Sequence, residues 1–191
     1  EDGKVLKAYV PEDTPENQHG KYQVERSLPS ILSSTQFTRS FQSLSIDWSS
    51  STLYVFLEAT LSSPSVSSST PSSSFIRVLS FDISDIHSIE YKAMYGFLLN
   101  SVGHSIMENN IEADEIPNWS LVASDHIEGM TFLLVEENLN LPGDSHFIYL
   151  DLSMATNLDE FYGSSLQLEE ISGQNNLLLV DDQPLNDHLA T

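Results

Sequence analysis

The chain has 191 residues, 40% of them hydrophobic, with 28 Asp and Glu against 7 Lys and Arg and a formal charge of −21. That length predicts one domain or a piece of one. The charge repels phosphate backbones and anionic lipid headgroups, which argues against nucleic acid and membrane surfaces as partners and favours cations and basic protein surfaces, or a role in solubility alone. The absence of cysteine excludes disulfides, thiolate catalysis and cysteine-ligated zinc.

Residues 1–26, with Pro11, Pro15, Gly20 and several acids, read as an extended lead-in, although 4–10 can pair as a strand. The start at Glu1, with neither Met nor a signal-like segment, reads as a processed mature chain or an excised piece. Strand-like segments follow. Residues 22–26 alternate weakly, and 42–48 alternate through Leu44, Ile46 and Trp48. Residues 52–59 form an aromatic and β-branched run, 75–83 alternate again, and 89–97 are a further candidate. Between Leu61 and Ser74 a stretch of Ser, Pro and Thr has little to bury and reads as a long loop. Residues 106–116 read as a short helix or an irregular acidic loop. Strand signals resume at 119–124, 130–136 and 147–152, and a last apolar run lies at 177–180. No apolar run approaches the roughly 20 residues that span a bilayer.

The chain is self-similar. Leu44-Ser-Ile-Asp-Trp-Ser-Ser-Ser-Thr-Leu-Tyr-Val-Phe-Leu-Glu58 aligns with Val122-Ala-Ser-Asp-His-Ile-Glu-Gly-Met-Thr-Phe-Leu-Leu-Val-Glu136. Asp47 then meets Asp125, Tyr54 meets Phe132 and Glu58 meets Glu136, while the next strands bring Asp82 to Asp151. Each copy is strand, tight turn, strand, loop, strand: the antiparallel meander of one propeller blade. The expected fold is therefore all-β, built of propeller-type blades over 27–161, with a lead-in at 1–26 and a C-terminal strand and tail at 162–191. Two or three blades cannot close a ring, so the expectation is an incomplete propeller that meets either missing blades or a protein partner.

Several segments in order carry a family resemblance. They are Leu28-Pro29, Phe41-Gln-Ser-Leu-Ser-Ile-Asp47, Thr52-Leu-Tyr-Val-Phe-Leu-Glu58, Arg77-Val-Leu-Ser-Phe-Asp82, Leu133-Leu-Val-Glu136 and Ile148-Tyr-Leu-Asp-Leu-Ser-Met-Ala-Thr156. In this order the stretch from Ser27 to Phe161 resembles the esterase-like-activity-of-phytase family of β-propellers. The resemblance implies a propeller fold, a location outside the cytosol, and hydrolysis of esters or phosphoesters. Two positions depart from the family pattern: Gln42 stands where it has an acid, and Glu137 where it has a base.

Glu58 and Glu136 are the candidate metal ligands, because paired carboxylates at strand ends can hold Ca²⁺ or split their pKa values as an acid–base pair; the same residues can instead serve their own blades. Asp82 and Asp151, each followed by an apolar residue and Ser, suggest Asx turns. The six histidines, His19, His87, His104, His126, His146 and His188, show no metal-binding spacing, and no Gly-x-Ser-x-Gly elbow is present. Asn118-Trp119-Ser120 fits a glycosylation sequon. Two functions from different classes remain open: a non-catalytic binding or structural subunit that docks on a larger assembly, and a phytase-like esterase or phosphoesterase module with Ca²⁺.

Overall fold

The computed structural model describes residues 5, 7–15, 23–34, 41–58, 75–98, 119–141, 143–155, 157–159, 180–181 and 183–184. The Ser-rich stretch after Leu61, the segment 106–116 and Asn118 of the sequon lie outside them. The described strands are β1 (Lys7–Pro11), β2 (Gln23–Leu28), β3 (Phe41–Asp47), β4 (Thr52–Leu57), β5 (Phe75–Asp82), β6 (Glu90–Leu98), β7 (Trp119–Glu128), β8 (Thr131–Asn138), β9 (Ser145–Asp151), β10 (Val180–Asp181) and β11 (Gln183–Pro184). A 3₁₀ turn spans Ser30–Ser34. No helix among the described residues is long and apolar enough to cross a membrane.

The fold is all-β. Strands β3 to β6 form one antiparallel meander and β7 to β9 a second, in strand orders β10-β6-β5-β4-β3 and β11-β9-β8-β7. Strand β7 runs four residues past the expected end at Ser124, because it closes on β8 through the two-residue turn Gly129-Met130, with Gly129 at φ +53°. A left-handed backbone is cheap only for glycine.

Alternation fixes which face each side chain joins. On the first meander Ser45, Tyr54 and Ser80 share one row, and Phe56 and Val78 share the next. This front face packs against the second meander, where the Phe132 ring lies 4.8 Å from Tyr54 and 5.2 Å from Phe56, both edge-on. The back face, with Leu53, Val55, Leu79 and Phe81, meets the parallel pair β1–β2, and Tyr9 lies 6.4 Å from Phe81. Strands β1 and β2 thus cover a sheet, and Leu28 and Leu32 join the same core.

The outer strands β6 and β9 are each bound over part of their length. The Asn157 Oδ1 accepts from the Met94 N–H, and the Leu158 N–H donates to the Met94 carbonyl at 2.7 Å. Strand β10 pairs with β6 of the first meander and β11 with β9 of the second, so chain segments one residue apart clip both sheets. Pairing of this kind covers two residues of each outer strand and so shields part of an edge that would otherwise invite association.

The two meanders repeat, but in a register one residue away from the sequence alignment. Thr52 faces Asp82 as Thr131 faces Asp151. The Ile83 N–H donates to the Ser51 carbonyl at 2.8 Å, as the Leu152 N–H donates to that of Met130 at 3.0 Å. This equates Glu58 with Glu137 and Leu57 with Glu136. Burial agrees: Leu57 and Glu136 are buried, Glu58 and Glu137 half-buried. The expected match of Asp47 with Asp125 also shifts, since Asp47 pairs with Thr52 while Glu128 pairs with Thr131. Asp125 instead holds the place of Ser45. The Asp82–Asp151 match stands, and both make the expected Asx turn, accepting from the N–H of Ser84 and Ser153 at 2.8 Å each.

Candidate functional site

Strands β3 and β7, the first of each meander, lie side by side with the same direction. Their facing residues are polar: Ser43, Ser45 and Asp47 on one, Ser124 and His126 on the other. The Ser124 Oγ lies 2.7 Å from the Ser43 Oγ and 2.8 Å from the Ser45 Oγ, and the Ser124 N–H donates to the Ser43 Oγ at 2.8 Å. Two residues further along, the Asp47 Oδ2 stands 4.0 Å from the His126 Nε2.

Asp47 organises its own turn. Its Oδ1 accepts from the Ser49 hydroxyl at 2.6 Å and the Ser49 N–H at 2.8 Å, and its Oδ2 from the Ser50 hydroxyl at 2.7 Å. These donors, the Ser49 and Ser50 hydroxyls foremost, hold the carboxyl well below the ordinary carboxylate range. His126 Nε2–H donates to the Gly129 carbonyl at 3.0 Å, closing the other turn. Behind the seam, burial above all pushes the Tyr54 hydroxyl up to about 12, with Tyr95 and Asp47 adding to it.

A serine nucleophile needs a base within hydrogen-bond reach, about 2.6–3.2 Å. Here the serines bond to one another and His126 bonds to a turn carbonyl. The arrangement therefore joins two sheets through polar contacts. Sequence reasoning passed over it, although the alternations Ser43-x-Ser45-x-Asp47 and Ser124-x-His126 carried the signal.

Glu58 and Glu136 are not repeat equivalents; their backbones are linked across the two sheets through Leu121. The Leu121 N–H donates to the Glu58 carbonyl at 3.1 Å, and Leu121 is the ladder partner of Glu136. The Ser120 hydroxyl donates to the Glu58 Oε1 at 3.0 Å, so the serine of the sequon is buried against a carboxylate. Ca²⁺ takes 6–8 oxygens. Among the described residues no group of three or more His, Asp or Glu is placed to hold a metal, so these two carboxylates do not by themselves make up a calcium shell.

A cleft of about 390 Å³ opens between β1, the residues after it and the 3₁₀ turn, lined by Tyr9, Asp13, Leu28, Leu32 and Phe41 among others. The Ser33 hydroxyl donates to the Asp13 Oδ2 at its rim, at 3.0 Å.

The second meander presents its own front to solvent. Strand alternation places Ala123, Asp125, Leu133, Val135, Phe147 and Tyr149 on that face, and Phe147 is 58% exposed. Compared with family models, with curated proteins and with solved structures, the chain has no match. The family resemblance therefore rests on the short motifs alone.

Proposed function

We propose that the chain is a non-catalytic binding and structural module made of two consecutive propeller-type blades, which docks through the front of its second blade onto a larger assembly. One observation carries this reading: the front face that is buried in the first meander is open in the second. Under the register set by Thr52 and Thr131, Phe56 of the first front corresponds to Val135 of the second. Phe56 is buried under Phe132, whereas the Val135 row ends on an exposed Phe147. The repeating stack, with β3 and β7 parallel and adjacent, supports blades related by rotation about a common axis. A further blade, from this protein or a partner, would extend that stack. Its contact face would be apolar with some positive charge, because Asp125, Glu137 and Asp151 lie on or beside the open front.

The test uses the whole chain. The neutral dye Nile red is expected to fluoresce with the native protein, and Phe147→Ser with Val135→Thr to remove most of that signal without lowering the urea midpoint. A large loss of stability in the double variant would mean that the face is already covered and would sink the docking reading. Hydrolysis of p-nitrophenyl acetate or p-nitrophenyl phosphate, with or without Ca²⁺, that Glu58→Gln or Glu136→Gln abolishes would replace it with the phytase-like enzyme.

A further inference from the structure

We propose that the turn end of the two meanders is a second contact surface, specific for a positively charged protein segment that carries apolar side chains of its own. The proposal rests on the binding-module reading but uses a different surface from the open front.

The ladder registers place four connections at one end. Asp47, Thr52, Asp82 and Glu90 are cross-strand partners in sequence, so residues 48–51 and 83–89 lie beyond the same edge. Glu128, Thr131 and Asp151 form the matching row of the second meander, with residues 129–130 and 152–155 beyond it. The 4.0 Å approach of Asp47 to His126 brings the two rows to the same end. Each connection or its flank exposes a large apolar side chain: Trp48 at 79%, Ile86 at 73%, Met154 at 74% and Ile127 at 48%. Trp48 and Ile127 directly follow Asp47 and His126 in sequence, which places both at the turn end of the seam. Scattered exposed apolar residues are ordinary, but four on adjoining turns at one end form a candidate contact surface.

These turns are held from within. Asp47, Asp82, Asp85 and Asp151 accept from the backbone N–H groups of Ser49, Ser84, His87 and Ser153. Cross-links from Ile83 to Ser51 and from Leu152 to Met130 add to them. A partner meeting a surface already ordered loses less conformational entropy on binding.

Charge selects the partner. Asp85, Glu90, Glu128 and Asp151 border the apolar side chains. Lys92 is the one lysine or arginine at this end among the described residues, and it is held by Glu90 at 3.2 Å and Asp82 at 3.6 Å. A second copy of this chain would bring like charge against like. A basic segment would gain both steering and apolar contact.

The experiment titrates the ¹⁵N-labelled whole chain with three synthetic peptides of equal length: alternating Arg–Leu, alternating Arg–Ser and alternating Glu–Leu. The Arg–Leu peptide is expected to shift the amides at 48–51, 83–89, 127–130 and 152–155 together with the Trp48 indole. Trp48→Ser with Met154→Ser should weaken it by about tenfold or more, and salt at about 0.5 M should weaken it further. Phe147→Ser should leave it unchanged, which separates this surface from the open front. The proposal is overturned if the Arg–Leu peptide does not bind, if its shifts map elsewhere, if the Trp48/Met154 variant binds as well, or if Arg–Ser binds as tightly, which would show net charge alone. Neutral phosphatidylcholine vesicles that shift Trp48 emission would assign the surface to lipid and also overturn it.

Discussion

The Asp47 Oδ2 and the His126 Nε2 stand 4.0 Å apart across the join between the two meanders, and each is bonded to the turn of its own hairpin. The same pair of residues therefore serves two levels of structure. Asp47 closes the turn after β3, His126 closes the turn after β7, and their proximity sets one hairpin end against the other. The serine contacts deeper in the seam continue the polar join, while the aromatic cluster on Phe132 supplies the apolar part of the interface.

Asp47 makes the seam acid-sensitive. Its carboxyl is held well below its ordinary value of 3.8, first by the Ser49 and Ser50 hydroxyls. A depressed folded pKa gives stability that is present above the ordinary value and is lost as pH falls through the lower folded value. Asp47→Asn is therefore expected to be less stable than the parent near neutral pH, with the gap narrowing as the solution is taken below the ordinary carboxylate range. Urea midpoints measured across that range test this; a gap that stays flat into strong acid would contradict it.

Phe132 and Phe147 are both phenylalanines of the second meander, on opposite faces. Phe132 is fully buried between Tyr54, Phe56 and His126. Phe132→Ala should cost about 3–5 kcal/mol, as for other large-to-small changes in a packed core. Phe147→Ala, on the open front, should stay within about 0.5 kcal/mol. Chemical denaturation of the two variants side by side measures the difference, and equal losses would mean that the front is packed in the isolated chain.

Strand content was legible because it depends on a local pattern. Alternating Leu44, Ile46 and Trp48, and the apolar run after Thr52, each announced a strand that exists. The register of the repeat was misread by one residue, for two physical reasons. The first hairpin turns through four residues and the second through two, so identical-looking Asp47 and Asp125 fall on different rows: Asp47 pairs with Thr52 at the turn, and Asp125 with Leu133 one row further in. In addition, Leu57 and Glu136 share a buried position while differing in charge, which hid the true equivalence. The pairing of β1 with β2 joins segments separated by a polar stretch, and no local signal marks such a contact. The seam and the turn-end surface depend on which strands lie side by side, and that is a tertiary property.

Tyr54 should report on the interior at high pH. Burial raises its hydroxyl from 10.0 to about 12. A raised folded pKa gives stability that is intact below the ordinary value and is lost as pH rises through the folded one. The chain should therefore lose stability between these values as the unfolded form gives up its proton first. Tyr54→Phe should make that loss shallower, as followed by fluorescence-detected unfolding at successive pH values. An unchanged slope would place the alkaline sensitivity elsewhere.

The two turns at the seam make opposite use of the left-handed backbone. Gly129 sits at φ +53° and Ser51 at φ +54°, so one turn carries the residue that tolerates this conformation and the other does not. Nothing lies within 4 Å of where a Cβ would stand on Gly129, so Gly129→Ala is free of clashes and its cost is conformational. That cost should be about 1 kcal/mol. Ser51→Gly should relieve the strained φ and partly offset this with a more flexible unfolded chain, for a net gain of about 0.5 kcal/mol or less. The Ser51 carbonyl keeps its bond from Ile83 in the variant, so the change isolates backbone strain from hydrogen bonding. Calorimetric melting of both variants against the parent measures the two signs. A Gly129→Ala chain as stable as the parent would show that the second turn can leave the left-handed region, and with it the tight closure that carries β7 past Ser124 to Glu128.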